Sequence, residues 1–379
     1  MRIDQAYLVS QLKALLAIDS PTGYTDEVVH HCSRELERLG LKPELTRRGA
    51  IRAVRRGEVR EGARAIVAHL DTLGAQVKLV KENGRLELVP IGHWSARFAE
   101  GGRVTIYSEQ GGFRGTALPL KASGHTFNEG VDTLPVGWGH VELRIDAVTG
   151  SKAETLALGI DIGDFVAFDT NAEFLDNGYI NSRHLDDKAG VAIALAAIEA
   201  LQRARVSTPV DMHFLFTIAE EVGVGAAAIV TPEIASMVTI DNGTTAPGQN
   251  SSEFGVTIAM ADQTGPFDYH LTGKLVALCR EHDIAFQKDI FRYYRSDSAS
   301  AIEAGHDVRT ALTAFGIDAS HGYERIHTHA LISVAALIAA YAASPLDIPR
   351  DTKEISGRRD FTHQPMEQAD QPDFDPGSP

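Results

Sequence analysis

Five imidazole or carboxylate side chains, His69, Asp186, Glu221, Asp241 and His327, each stand where an apolar run stops. Ala63 to Ala68 leads into His69-Leu70-Asp71, Val210 to Ile218 into Glu220-Glu221-Val222-Gly223, and Met237 to Ile240 into Asp241. Val308 to Phe315 leads through Gly316 and a loop to His327. Asp186 and Asp187 precede the alanine-rich run Val191 to Leu201, the lip of a buried helix. An aspartate there is an ordinary helix cap when it stands alone. Repeated at four other element ends, the pattern points to chemistry. Imidazole and carboxylate without thiolate is the ligand set of a hydrolytic zinc, cobalt or manganese site. Five protein ligands exceed the needs of one open zinc. Two ions roughly 3.5–4 Å apart, sharing a carboxylate, fit better, and Asp186 is the natural bridge. Asp71 lies two residues beyond His69 on one strand face, placed to accept the far ring N–H. Glu220 and Glu221 project oppositely on an extended segment, so one serves as ligand and the other as general base.

Those residues need a scaffold that brings distant segments together. Residues 4–17 and 24–39 have helical apolar spacing, and residues 63–68 read as a buried strand. From Thr72 to Gly178 the texture changes to short alternating runs, with Asn83-Gly84 as a hairpin signal. From Tyr179 onward strands and helices alternate: strands at 210–218, 237–240, 284–290 and 308–315, helices at 265–282, 296–303 and 330–342. The expected fold is α/β: a catalytic domain with a mixed central sheet flanked by helices, plus an inserted all-β, barrel-like domain. Its divisions are residues 1–71 and 179–343 for the catalytic domain, 72–178 for the insert, and 344–379 for a tail too polar to fold.

With these residues in place, a family resemblance follows. His69-Leu70-Asp71, Leu185-Asp186-Asp187-Lys188-Ala189-Gly190, Glu220-Glu221-Val222-Gly223, Asp241 and Glu324-Arg325-Ile326-His327 resemble the M42 metallo-aminopeptidases, as does Gln76 to Gly92. The resemblance implies that His69 and Asp241 bind one metal and Glu221 and His327 the other. Asp186 bridges, Glu220 is the general base with Asp71 behind it, and the Asp186–Asp187 peptide is cis. It also implies two divalent ions, zinc first, with cobalt or manganese as alternatives. The β insert would mediate a homodimer or a higher homo-oligomer, since many members build dodecamers. Two segments depart from the usual family pattern: Arg295-Ser296-Asp297-Ser298-Ala299 and Asn242-Gly243-Thr244-Thr245. Ala319 to Arg325 and Tyr293-Tyr294-Arg295-Ser296-Asp297 resemble the branch associated with the osmoprotectant N-acetylglutaminylglutamine amide. His321, Arg295, Asp297 and Tyr294 are the candidate substrate contacts, and His321 competes with His327 as a ligand.

The expected function is hydrolysis of a peptide or related amide, using a metal-bridging hydroxide and a glutamate base. An aminopeptidase of short peptides leads; a metal-dependent deacylase or amidase acting on a small blocked dipeptide is the alternative. A non-catalytic scaffold would be expected to lose ligands, and none is missing. A glycosidase needs carboxyls roughly 5–9 Å apart across a sugar, which adjacent glutamates do not suit. The net charge of −15 argues against nucleic acid or anionic membrane as partner. Cys32 and Cys279, the only cysteines, suit a reducing compartment, and no run approaches a membrane span. The expected location is cytoplasmic. His125, on a loop of the insert, is a further residue of interest.

Overall fold

The computed structural model describes residues 1–353, 355, 357, 358 and 361–364. At its centre four parallel strands, Val210–Thr217, Val59–His69, Ile234–Thr244 and Arg309–Ile317, lie side by side in that order. They are apolar along most of their length because helices cover both faces, as a parallel sheet requires. Antiparallel strands extend this core into a mixed sheet of nine: Ile51–Arg55 with Pro43–Leu45 on one side, Val256–Asp262 on the other. Leu185–Arg203, buried along nearly its whole length, packs between helices Gln5–Leu16 and Thr328–Ala343. All four parallel strands finish at one edge, the edge at which open α/β sheets place their ligands.

The insert is a closed antiparallel barrel of six strands between Gly74 and Phe168, with an apolar core of its own. Its first hairpin turns at Asn83-Gly84, where Gly84 takes φ +79°, a conformation glycine adopts without strain. Contacts from the loop after the first helix join barrel to sheet: the Tyr107 hydroxyl donates to Asp19 at 2.7 Å, and Tyr24 stacks on Tyr107 at 4.4 Å.

Some expected boundaries shift for physical reasons. The strand expected at 237–240 runs from Ile234 to Thr244, because Arg309–Ile317 pairs with it from Ser236 to Thr244; Asp241 therefore lies within a strand. The helix expected from 265 begins at Tyr269, since Gly265–Pro266 closes a hairpin and Asp268 caps the helix, accepting from Leu271 N–H at 2.8 Å. The expected tail is held at its start: Arg64 donates to the carbonyls of Tyr341, Ser344 and Pro345, and Arg309 pairs with Asp351 at 2.9 Å. The rest of that tail, from 365, falls outside the described residues. No helix among the described residues is long and apolar enough to cross a membrane.

Candidate metal centre

The centre is assembled at the carboxyl edge of the parallel strands. His69 closes its strand with its side chain buried. Its Nδ1 donates to the backbone carbonyl of Asp71 at 2.9 Å, and the Asp71 carboxylate stays 3.6 Å away. The expected Asp71 support thus comes from the main chain. The Asp71 carboxylate holds the next strand end instead, accepting the N–H groups of Glu220 (3.1 Å) and Glu221 (3.3 Å) and the Thr22 hydroxyl (2.7 Å).

With Nδ1 committed, His69 presents Nε2 to Asp186 Oδ1 at 3.2 Å. On the other side of the same carboxylate, His321 Nε2 lies 3.2 Å from Asp186 Oδ2 and 3.7 Å from Glu221 Oε2. His321 is aimed by the barrel, since its Nδ1 donates to the His93 carbonyl at 2.9 Å. Gly92, at φ +80°, lets that barrel loop descend; a Cβ there would meet Leu73 at 2.4 Å. The Asp186–Asp187 peptide is cis. The Asp187 carboxylate turns inward, accepting from the backbone of His69 and Gly190 at 3.1 Å each.

Ligand-type atoms of His69, Asp186 and Glu221 lie within 4.8 Å of one another, as do those of Asp186, Asp187 and Asp241. Five carboxylates meet two imidazoles in a water-poor space, and charge is strongly perturbed there. Burial, reinforced by Asp186, pushes the Asp241 carboxyl up to about 7; burial pushes Glu221 up to about 8 despite His321. Burial also lifts Glu220 and Asp187 well above the usual carboxyl range. Asp186 goes the other way: burial opposes its charge, but His321 and His69 hold it well below. Burial equally opposes a charged His321, yet Glu221 and Asp186 push it up to about 11. Glu221 Oε1 is buried with no hydrogen-bond partner among the described residues. Excess carboxylate, an orphaned carboxylate oxygen and imidazole nitrogens already aimed inward are what a pair of divalent cations would relieve.

His327 is not brought to this cluster, contrary to the expected ligand set. Its Nδ1 accepts from His329 N–H at 3.0 Å, capping the helix Thr328–Ala343, and its Nε2 donates to the Asn177 carbonyl at 3.0 Å. Its ring packs on Tyr179 and Phe254. Of the expected substrate contacts, His321 joins the cluster itself. Arg295 pairs with Glu303 at 2.5 Å on the surface. Asp297 is buried, accepts the Thr217 hydroxyl at 2.8 Å, and presses so closely on Gly225 that a Cβ there would meet Oδ1 at 1.8 Å. It supports the turn after Glu221. Tyr294 turns its hydroxyl toward Asp241. His125 stands exposed on the short helix Gly124–Phe127, outside the clustered ligand-type groups.

Sequence reasoning missed two supports. Glu324, 1% exposed, accepts the N–H groups of Leu185 (2.8 Å) and Asp186 (3.3 Å) through Oε2 and that of His321 (2.9 Å) through Oε1. Asn242 donates its side-chain amide to Asp186 Oδ2 (2.8 Å) and Asp241 Oδ1 (3.1 Å). A signal did exist for His321. It follows the strand Arg309–Ile317 by four residues, and Glu221 follows Val210–Thr217 by four. His327 instead abuts the next helix.

Comparisons with known proteins agree with this geometry. The M42 glutamyl aminopeptidase family pattern matches residues 49–337. The YhfE protein of Bacillus subtilis (strain 168) is 36% identical over 336 residues, covering 88% of this chain and 97% of its own. An aminopeptidase from the archaeon Desulfurococcus kamchatkensis shares the fold with a TM-score of 0.82 at 23% identity, covering 93% of this chain and 98% of its own. The Pyrococcus horikoshii TET1 peptidase, which can assemble into a tetrahedron or a large octahedral shell, has a TM-score of 0.77 at 23% identity over 88% and 99% of the two chains. Sheet, barrel, clustered ligand groups and these matches converge: the chain belongs to the M42 glutamyl aminopeptidase family and is an M42 metallo-aminopeptidase.

Proposed function

We propose that this chain is a dinuclear hydrolase that removes residues from the amino terminus of short peptides. His69 and Asp241 hold one ion, Glu221 and His321 the other, and Asp186 lies between them. Asp186 carries this assignment: each of its oxygens is 3.2 Å from a different imidazole Nε2, so one carboxylate already faces two half-sites. Bound divalent ions would polarise the scissile carbonyl and lower the pKa of water.

The remaining work falls to side chains. Glu220, whose carboxylate lies 3.8 Å from His69 Nε2, takes a proton from the attacking water and returns it to the leaving nitrogen as the C–N bond breaks. Its raised pKa suits it to hold that proton between the two steps. Asp71 keeps the Glu220–Glu221 backbone in place from below. A free amino terminus on the substrate is what the aminopeptidase character of the family leads us to expect. Zinc suits the donor set, and cobalt and manganese share the preference for imidazole and carboxylate. Assembly of several copies through the barrel belongs to the same proposal, supported by the shells that the TET1 relative forms.

Metal analysis of single variants tests the assignment. Wild-type protein is expected to hold two ions per chain, His321→Ala one, and His327→Ala two. Loss of an ion from His327→Ala with retention in His321→Ala would reverse it. Unblocked, acetylated and amidated dipeptides, with zinc, cobalt or manganese supplied, check the free-amine requirement; turnover confined to the acetylated peptides would make the chain a deacylase.

A further inference from the structure

The Asn242 amide clasps two of the proposed metal ligands at once. Asn242 lies in the strand Ile234–Thr244, opposite Phe315, so its backbone is fixed by the sheet. Neighbours on a strand normally project to opposite faces. Here the Asn242 side chain, 2% exposed, nevertheless reaches the carboxylate of the residue before it. Nδ2 carries two hydrogens. One is donated to Asp186 Oδ2 at 2.8 Å and the other to Asp241 Oδ1 at 3.1 Å. The amide oxygen is buried and finds no hydrogen-bond partner among the described residues. Leaving a buried acceptor unpaired is unfavourable, so the two carboxylates set the orientation: turned over, the amide would press its oxygen against them.

The effect of this clasp follows from counting lone pairs, of which each carboxylate oxygen has two. Asp241 Oδ1 accepts the Asn242 backbone N–H at 2.6 Å as well as the side-chain amide, so both of its lone pairs are committed. The Tyr294 hydroxyl turns toward the same carboxylate, and whichever oxygen it meets, Oδ2 keeps at least one lone pair. Asp241 is thereby left to grip a cation through one oxygen, not two. His69 Nε2, Asp186 Oδ1 and a single Asp241 oxygen make three protein atoms, the number a catalytic zinc keeps beside its open position. Chelation through both Asp241 oxygens would make four and favour the oxygen-rich, six-coordinate shell that suits manganese. We infer that Asn242 sets metal specificity: by occupying Asp241 Oδ1 it holds Asp241 to one-oxygen binding and favours zinc over manganese in the half-site of His69 and Asp241. It acts through Asp241, as a positioning residue. The inference rests on the dinuclear reading of this site.

Asn242→Val removes both side-chain N–H groups and suits a strand. In competition between zinc and manganese against a chromophoric chelator, the zinc-over-manganese affinity ratio is expected to fall by about tenfold. Cobalt bound to the variant should absorb visible light more weakly per ion than in wild type, since four-coordinate cobalt absorbs strongly and six-coordinate cobalt weakly. A merely structural asparagine would weaken zinc and manganese by the same factor; a ratio within about twofold of wild type would overturn the inference. His321→Ala supplies a check that leaves Asn242 in place. It is expected to keep only the ion of His69 and Asp241, and that ion, as cobalt, should show the strong band; a weak band would also overturn the inference. Wild-type protein that takes up neither zinc nor cobalt would overturn the dinuclear reading together with it. Two tightly bound ions in wild type, with an unchanged ratio in Asn242→Val, would overturn the asparagine alone.

Discussion

The two halves of the centre are built differently. His69 and Asp241 sit on adjacent parallel strands, and their side chains are almost wholly buried. Ladder pairing on one side sets each backbone, His69 opposite Thr217 and Asp241 opposite Ala314, so the side chains inherit their placement from the sheet. His321 and Glu221 come from loops beyond strand ends, and the His321 side chain is 32% exposed. His321 also has φ +65°, an uncommon left-handed conformation for a residue with a side chain. Nothing in the sheet fixes it. Two contacts do so instead: the Glu324 carboxylate on its N–H, and the His93 carbonyl of the barrel on its ring. The sheet half is preorganised by topology. The loop half depends on a buried acid and on a neighbouring domain, which gives the barrel a part in placing His321.

Asp186 belongs to both halves, so removing it should produce the largest effect. Asp186→Ala is expected to lose both ions and about 10³-fold or more of turnover. Metal content by mass spectrometry with single-turnover kinetics checks it. Retention of one full ion would show that the halves fill independently and that Asp186 is not shared.

Glu324 sharpens the comparison, because it touches only backbone. Its Oε2 holds the N–H groups of Leu185 and Asp186 and its Oε1 that of His321, so it ties the shared carboxylate to the loop half. In Glu324→Gln one acceptor becomes an NH2 facing a backbone N–H. The ion held by Glu221 and His321 should bind about 10–100-fold more weakly, the usual effect of losing an outer support, while the other ion is nearly unaffected. Titrating cobalt into metal-free protein and following its visible absorption separates the two. Equal weakening of both ions, or a fall in melting temperature as large without metal as with it, would make Glu324 a general structural residue.

The same contrast explains what was legible in the sequence. Strands buried on both faces show as apolar runs, so His69, Glu220, Glu221 and Asp241 could be found at their ends. The Asn83-Gly84 turn marked the first hairpin of the barrel, but closure into six strands depends on pairings such as that of Gln76 with Phe165, which no local pattern encodes. The loop half was harder. His321 and His327 both follow the last parallel strand, and choosing between them requires knowing that His327 caps a helix and lies over Gly178. Glu324 reaches Asp186 because its strand pairs with Tyr179–Ser182, a contact spanning more than a hundred residues. An acid between Tyr323 and Arg325 carries no local sign of burial. Residues placed by local periodicity could be read; residues placed by long-range pairing could not.

The smallest expected effect concerns pH. The Glu221 carboxyl, pushed up by burial to about 8, and that of Asp241, pushed up by burial and Asp186 to about 7, both titrate above their unfolded values. Between the unfolded and folded values the folded chain binds more protons, so metal-free stability falls as pH rises from about 4.5 to 8. His321 acts in the same direction over the upper part of that window. With its folded value near 11, held there by Glu221 and Asp186 against burial, its contribution is complete below the usual histidine value of about 6.5 and declines above it. Asp186 has the opposite sign, but its window lies below its ordinary carboxyl value and is finished before pH 5. Saturating metal displaces these protons and stabilises only the folded chain. The gap in melting temperature between metal-loaded and metal-free protein should therefore widen by several degrees from pH 5 to pH 8. His321→Ala should narrow that widening more than His327→Ala does, because only the former removes a titrating group facing Glu221. Parallel melting curves for loaded and metal-free protein across this range would mean that the carboxylate cluster is not strained by its own charge, and that both halves are equally at rest without metal.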